Sequence, residues 1–377
     1  MNHGKHDPID YFPLSVATGE AFCNRVNEIK RLQTCITHRR PVLLVSPRRY
    51  GKTSLALRTI KETNLPYAHI DLFSVIDERD IEKCILKGIE TLISRMESLP
   101  KKAFAMATEL FEGAHIRVAL TKIGIVIETE KEREKPAYRV LDMLERLEKL
   151  AQKADKQIIL FFDEFQAIRE ITPDHAMESV LRQVAQLTQS ISFIFSGSSR
   201  HLLNELFEDR ERPFYKLCER ITLKRILENA YTKHIQAAAK LRWSRKLSKK
   251  ELDVIFYYSE RHPYYLNLLC SRLLSIESPS PKNIEKIWMQ YAIEERSHVS
   301  SELDLLTKNQ KKLLIVLSRT GGAKAALGKE FIYKTNMSKT TVRQCLIFLE
   351  RRDYIFRDEN NLVNILDPLI KTVLSDV

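Results

Sequence analysis

The chain has 377 residues, enough for two or three domains, with the 44% hydrophobic and 29% charged composition of a folded globular protein. No run approaches the roughly 20 apolar residues of a membrane-spanning helix, the opening Met1-Asn-His-Gly-Lys-His-Asp-Pro8 lacks the apolar stretch of a secretory signal, and the six cysteines (23, 35, 84, 218, 270 and 345) show no C-x-x-C pairing, so a membrane protein, a zinc site and a disulfide framework are disfavoured and a reducing cytoplasmic setting is expected. The formal net charge of +12 and isoelectric point near 9.3 favour nucleic acid or another polyanion as a partner.

Residues 1–20 read as extended, with Tyr11-Phe12-Pro13 placed to dock on the core, and residues 24–37 read as a helix. The next stretch, Pro41-Val-Leu-Leu-Val-Ser-Pro-Arg-Arg-Tyr-Gly-Lys-Thr-Ser54, organises the chain. Val42–Val45 reads as a buried strand and Leu55-Ala-Leu-Arg-Thr-Ile60 as a helix, with a tight segment between them. That strand–loop–helix order is what a phosphate-binding loop requires. Backbone N–H groups at a helix N-terminus suit phosphate oxygens, Gly51 permits positive φ and close approach, Lys52 reaches β- and γ-phosphates, and the Thr53 hydroxyl can ligate Mg²⁺. Ser46, Pro47, Arg48, Arg49, Tyr50, Gly51, Lys52, Thr53 and Ser54 are therefore the candidate nucleotide-binding residues. One position departs from G-x-x-x-x-G-K-[ST]: Ser46 stands where the pattern has glycine, and serine is a turn residue. The plain alternative is a Gly-Lys-Thr at an ordinary helix start.

Tyr67-Ala-His-Ile-Asp-Leu-Phe73 reads as a second strand, which Asp71 ends. Residues 80–98 read as a helix from the spacing of Ile81, Ile85, Ile89, Leu92 and Ile93, and 101–111 as another. Alternation over 114–128 predicts a β-hairpin inserted in the core, followed by a charged loop over 128–136 and a helix over 138–154. Gln157-Ile-Ile-Leu-Phe-Phe-Asp-Glu-Phe-Gln166 is then a fully apolar strand ending in two acids, the pattern of a central parallel strand covered on both faces. Ligands of such sheets sit at the carboxyl ends of the strands, which brings Asp163 and Glu164 beside the phosphate loop. Asp163 is the candidate Mg²⁺ partner with Thr53, and Glu164 the residue to polarise an attacking water. An acidic turn after a core strand is the structural alternative.

A helix over 172–189, a buried strand Ile191-Ser-Phe-Ile-Phe-Ser196 and a last core strand over 221–224 complete the first part. Residues 228–288 read as helical, broken near 242–247, 262–263 and 278–281. Three further helices are predicted over 306–318, 326–335 and 338–352, the last with an N-cap serine, Ser338, and an apolar stripe at Val342, Leu346 and Leu349. A hairpin follows, Tyr354-Ile-Phe-Arg357 and Leu362-Val-Asn-Ile-Leu366 around Asp358-Glu-Asn-Asn361.

Four segments together resemble the AAA-like ATPases of the archaeal-ATPase family, within the STAND-related branch of P-loop NTPases. They are Phe22-Cys-Asn-Arg-Val-Asn-Glu-Ile-Lys-Arg-Leu32, Ser46 to Ser54, Asp163-Glu-Phe-Gln166 and Ser196-Gly-Ser-Ser-Arg200. The resemblance implies an α/β fold: a P-loop (AAA-like) parallel sheet with a helical lid and a C-terminal winged-helix domain. Its expected bounds are a core over 1–224 with the hairpin insertion near 114–128, a lid over 225–300 and a winged helix-turn-helix over 301–377. It places Arg25 and Glu28 beside an adenine pocket, makes Ser196 (with Ser198 next to it) the polar sensor of the γ-phosphate, and makes Arg200, Arg210, Arg212 and Arg220 candidates for an arginine finger. His262 is the nearest match to the lid's nucleotide-facing basic residue. In a winged helix the third helix enters a major groove, which would bring Lys339, Thr340, Thr341, Arg343 and Gln344 to DNA, with Arg351, Arg352 and Arg357 adding charge.

The resulting expectation is an ATPase with ATP and Mg²⁺ as cofactors, hydrolysing slowly and acting as a nucleotide-driven switch, with double-stranded DNA as the expected macromolecular partner. A DNA-binding initiator or mobile-element ATPase, with salt-dependent DNA binding that changes with nucleotide, is the first alternative. A signalling or defence switch that binds a protein and self-associates with nucleotide is the second, and a scaffold that holds nucleotide without turnover is the third.

Overall fold

The computed structural model describes residues 11–96, 100–111, 116–120, 125–129, 135–172 and 174–375. Contacts divide the chain into two units. A core unit comprises residues 25–48 and 52–223, and a C-terminal unit comprises 1–24, 49–51 and 224–377. The extended reading of residues 1–10 and most of the charged loop, 130–134, lie outside the described residues.

The core unit runs α1 (Val26–Thr37), β1 (Val42–Val45), α2 (Lys52–Thr63), β2 (Tyr67–Asp71), α3 (Glu78–Met96), α4 (Pro100–Phe111), β3 (Ile116–Leu120), β4 (Ile125–Thr129), α5 (Pro136–Lys153), β5 (Ile158–Asp163), α6 (Ala167–Ile171), α7 (Ala176–Leu187), β6 (Ile191–Gly197), α8 (Arg200–Glu208) and β7 (Glu219–Thr222). Five strands form one parallel sheet in the order β2-β5-β6-β1-β7. β3 and β4 pair antiparallel as a separate two-stranded sheet, the predicted hairpin. β1, β5 and β6 are buried at every position, which explains their continuous apolar sequences: helices cover both faces, so no face selects polar residues. On one face of β5 and β6, Phe162, Phe193 and Phe195 join Phe165, Phe207 and Phe214 in a single aromatic cluster. This cluster anchors both sides of the Asp163-Glu164 pair.

Two segments differ from expectation. The last strand begins at Glu219 rather than at residue 221, because the Glu219 N–H donates to Pro41 O at 2.9 Å and starts the pairing with β1. Its polar first residues hide an edge strand whose outer side needs no apolar side chains. The predicted helix over 172–189 begins only at Ala176, and a short helix, α6, precedes it. His175 adopts φ +56 at that start.

The C-terminal unit runs α9 (Glu228–Trp243), α10 (Lys249–Ser259), α11 (Pro263–Leu273), α12 (Pro281–Glu294), α13 (Arg296–Asp304), α14 (Lys308–Thr320), α15 (Lys329–Thr335), α16 (Lys339–Arg351), β8 (Ile355–Arg357), β9 (Val363–Ile365) and α17 (Pro368–Ser375). The helix breaks have local causes. Ser248 and Glu251 close a capping box at α10, and Pro263 and Pro281 occupy first helical positions. α13 and α17 were not expected. α9 to α17 share one core built around Trp288, Tyr231, Leu313 and Leu349. The Tyr11-Phe12-Pro13 strap docks on this unit: Phe12 is buried beside Ile235, Trp243 and Leu273, His234 Nε2 meets Tyr11 O at 2.9 Å, and Asn267 donates to Pro13 O at 2.9 Å.

One buried ion pair ties two core helices. Arg139 of α5 donates from Nε and Nη2 to the two carboxylate oxygens of Glu82 on α3, at 2.7 and 2.6 Å. Replacing Arg139 with alanine strands a buried carboxylate, so Arg139→Ala is expected to lower the unfolding free energy by about 3–5 kcal/mol, whereas the paired change Glu82→Leu with Arg139→Met costs far less. Urea unfolding followed by circular dichroism checks the ranking.

Candidate nucleotide site

In the core unit the phosphate loop begins where β1 ends. Ser46 and Pro47 are buried, and Lys52, the first residue of α2, is buried with them. The Lys52 ammonium donates to Ser46 O at 3.1 Å, to Ser46 Oγ at 3.3 Å and to Pro47 O at 3.1 Å. Ser46 thus does more than replace glycine: its hydroxyl and carbonyl both hold the lysine. Gly51 has φ +85, and a Cβ there would meet nothing within 4 Å, so conformation rather than space requires the glycine. Ser54 is buried and Arg48 exposed.

The two acids follow from β5. Register pairs Leu44 of β1 with Ser196 of β6, so β6 stands between the phosphate-loop strand and the acidic strand. Thr53 Oγ1 donates to Asp163 Oδ2 at 2.5 Å, Ser196 donates to Asp163 Oδ1, and the Glu164 N–H donates to the same Oδ1 at 3.1 Å. Burial pushes the Asp163 pKa up, but His69, Ser196 and Thr53 together outweigh it and hold it down at about 2. Thr53 and Asp163 form a pair of hard oxygen donors, the type that suits a divalent cation. Glu164 has a separate set of partners: its Oε2 accepts from Ser198 Oγ at 2.8 Å and from Gln166 Nε2. The two serines at the end of β6 therefore serve the two acids, one each.

The tip of the loop, residues 49–51, groups with the C-terminal unit. There the Arg49 guanidinium lies 4.1 Å from the centre of the Tyr264 ring, and the Tyr50 ring meets His262 edge-on at 4.8 Å. Burial, with Arg225 and Arg49 nearby, pushes the His262 pKa down to about 3, so this imidazole is neutral. Arg225 escaped the sequence reading. It donates to Tyr50 Oη at 3.4 Å, to Glu260 Oε2 at 2.6 Å and to Leu366 O at 2.9 Å, and it lies over Phe356 of β8. Its only sequence signal was an arginine directly after the last core strand.

Of the candidate finger arginines, Arg212 pairs with the fully buried Glu178 at 2.9 Å, Arg220 pairs with Glu208, Arg200 opens α8 and Arg210 is exposed. Arg25 is buried with φ +72 and pairs with Glu28 at 3.0 Å. On α16, Lys339, Thr340, Arg343 and Gln344 are exposed, while Thr341 closes the helix cap with its N–H on Ser338 Oγ at 3.1 Å.

The family model of an ATPase domain predominantly from Archaea matches residues 22–269. The chain belongs to that family. Among solved structures, the Walker-type ATPase PABY2304 of Pyrococcus abyssi is similar over 97% of this chain and 99% of its own, at TM-score 0.66 and 18% identity. The ORC2 protein of Aeropyrum pernix, solved as ADPNP–ADP complexes, is similar over 94% of this chain and 93% of its own, at TM-score 0.56 and 14% identity. These likenesses are of fold, and they agree with a P-loop, AAA-like parallel sheet. No curated protein matches the chain in sequence.

The depressed Asp163 pKa makes a prediction about acid stability. A carboxylate whose folded pKa lies below its unfolded value contributes stability above the unfolded pKa and loses it as pH falls through the folded one. From pH 5 to pH 2 the wild type should therefore lose about 2 kcal/mol more stability than Asp163→Asn. Urea midpoints of both proteins across that range measure the difference.

Proposed function

We propose that this chain binds ATP with Mg²⁺ at residues 46–54 and hydrolyses it slowly as a nucleotide-driven switch, associated with duplex DNA through a winged helix over 301–377. In this reading residues 1–224 are the ATPase core and 225–300 a helical lid. The observation that carries the catalytic part is the meeting of the Thr53 hydroxyl and the Asp163 carboxylate at 2.5 Å, at the start of the loop's helix and the end of the acidic strand. Mg²⁺ commonly takes one or two protein oxygens and completes its shell with phosphate and water, and Thr53 with an ionised Asp163 fits that habit. Bound there, Mg²⁺ would neutralise charge on the β- and γ-phosphates. Lys52 supplies a positive charge from the loop, and the N–H groups opening α2 face the phosphates. Glu164 takes the proton of the attacking water, oriented by Ser198 and Gln166, whose hydrogen bonds both go to Oε2 and, among the described residues, leave Oε1 for that task. Ser196 holds Asp163 in line. The A. pernix relative, which carries ADPNP and ADP by its description, supports the nucleotide class.

The DNA part rests on charge. Residues 224–377 hold 27 Lys and Arg against 17 Asp and Glu, so this stretch carries +10 of the chain's net +12. Lys339, Arg343 and Gln344 stand exposed on α16. Asp358 and Glu359 on the hairpin tip would repel phosphates, which favours the helix over the wing as the contact. One observation favours a protein partner instead: Ile347 and Phe348 of α16 are 48% and 36% exposed, and an apolar helix face suits a protein, with nucleotide-dependent self-association as its form.

ATP turnover by wild type and Glu164→Gln, with and without duplex DNA at two salt concentrations, tests both parts. Glu164→Gln should reduce turnover at least about 100-fold while keeping nucleotide binding, and Lys52→Ala should abolish binding. DNA should bind more weakly at the higher salt, and Arg343→Ala should lower the salt slope by about one. Turnover that ignores DNA moves the reading to the protein-partner switch, and nucleotide binding with no turnover in the wild type leaves a scaffold.

A further inference from the structure

His69 of β2 lies on the same side of the sheet as Asp163, since β2 and β5 pair His69 with Phe161 and Asp71 with Asp163. Its imidazole stacks on Phe161, with centroids 4.7 Å and planes 9° apart, and this sets the direction of the ring. Nε2 is buried and has no hydrogen-bond partner among the described residues. It lies 3.6 Å from Asp163 Oδ2, the oxygen that accepts the Thr53 hydrogen bond. At that distance the contact is electrostatic and slightly longer than a hydrogen bond. A buried polar atom without a partner calls for an explanation, and contacts in catalytic sites are often long until the ligand is bound.

The other carboxylate oxygen, Oδ1, is already held by Ser196 and by the Glu164 N–H. Among the described residues, Oδ2 has Thr53 and, at longer range, His69. We propose that His69 is a positioning residue: the Phe161 stack aims its Nε2–H at Asp163 Oδ2, which keeps that oxygen in line with Thr53 Oγ1 and sets how tightly the pair holds a divalent cation together with nucleotide. This deepens the ATP and Mg²⁺ reading above and rests on it. Partners that orient a metal-holding carboxylate are typically worth 10–100-fold in metal affinity. The long contact here puts the expectation at the lower end.

The rival role for His69 is a flat ring that fills space over Phe161, and two substitutions separate the roles. His69→Gln keeps an N–H donor at similar reach and loses the ring; His69→Phe keeps the ring and loses the donor. The full chain is titrated with MgCl₂ at fixed ATP, reading ATP binding by equilibrium dialysis, and the same dialysis is run in EDTA. Thermal melting confirms that each variant is folded. The expected result is a half-saturating Mg²⁺ concentration raised about tenfold in His69→Phe, within about twofold of wild type in His69→Gln, and equal binding in EDTA for all three proteins. The reverse ranking, equal impairment of both variants, or no change in either overturns the proposal. Wild-type ATP binding that ignores Mg²⁺ is a different failure: it overturns the metal reading itself, and the role of His69 falls with it.

Discussion

A carboxylate at the buried end of a central strand stays ionised only if donors reach it, and at Asp163 they arrive from separate segments. Thr53 comes from the helix after the phosphate loop, Ser196 from the neighbouring strand, and an N–H from Glu164 itself. His69 adds the field of an imidazole from the strand on the other side. Each donor is set by a different pairing, so one charged group checks the register of several elements at once. A one-residue slip between β5 and β6 would turn Ser196 to the opposite face and leave Asp163 Oδ1 with one donor fewer. The strand order has the same logic: with β6 between β1 and β5, its last residues stand between the loop and the acids and can serve both.

The end of β6 shows how closely this is built. Ser196 bonds Asp163 and Ser198 bonds Glu164. The residue between them is glycine, and a Cβ there would lie 2.0 Å from Gln166 Oε1 and 3.2 Å from Leu203 Cδ1, so a side chain at 197 would push Gln166 from its place beside Glu164. Gln166 sits in that space in order to reach Glu164. Glu164 itself holds φ +52, a conformation that costs a non-glycine residue about 1–2 kcal/mol. The aromatic cluster offsets that strain. Phe162 and Phe165 are fully buried on either side of the acid pair, 6.0 Å apart and edge-on. With both neighbours fixed in the core, the backbone between them has little choice but to turn.

The parts legible in the sequence are those whose signal is local. β1 and β5 are short apolar runs, α3 and α5 have regular apolar spacing, and Gly51-Lys52-Thr53 follows a strand, so these elements and the pairing of loop with acids were readable. The helix breaks at the starts of α10, α11 and α12 were readable too, because prolines and a capping box mark them. What was hidden depends on residues far apart in sequence. His69 reads as an ordinary strand residue until β2 is laid beside β5, 94 positions on from it to Asp163. Arg225 reads as one of many basic residues until Tyr50, Glu260 and Leu366 are brought around it. β7 was misplaced by two residues because an edge strand needs no alternation on its open side, and Glu219 is occupied with Arg31 and Cys35. α17 was missed because its buried face, Leu369, Ile370, Val373 and Leu374, is too short a run to separate from a strand by periodicity.

The charge of the C-terminal unit takes on a sharper meaning once its acids are located. Several of them are consumed by folding. Glu251 closes the α10 cap and pairs with Arg245. Glu260 sits between Arg225 and Lys371. Asp367 is buried, accepts the Tyr265 hydroxyl at 2.6 Å and caps the first N–H groups of α17. These carboxylates stabilise the unit, and each lies within a local set of partners. The basic residues of α16 have a different setting: Lys339 and Arg343 are exposed and near no acid on their own first turns. A distant polyanion senses the net charge of the whole stretch, whereas a docked one meets the exposed residues at short range, within roughly one Debye length. Both scales have the same sign here, so in the DNA-associated reading proposed above the charge that would draw an anionic partner in and the charge that would meet it at short range point the same way.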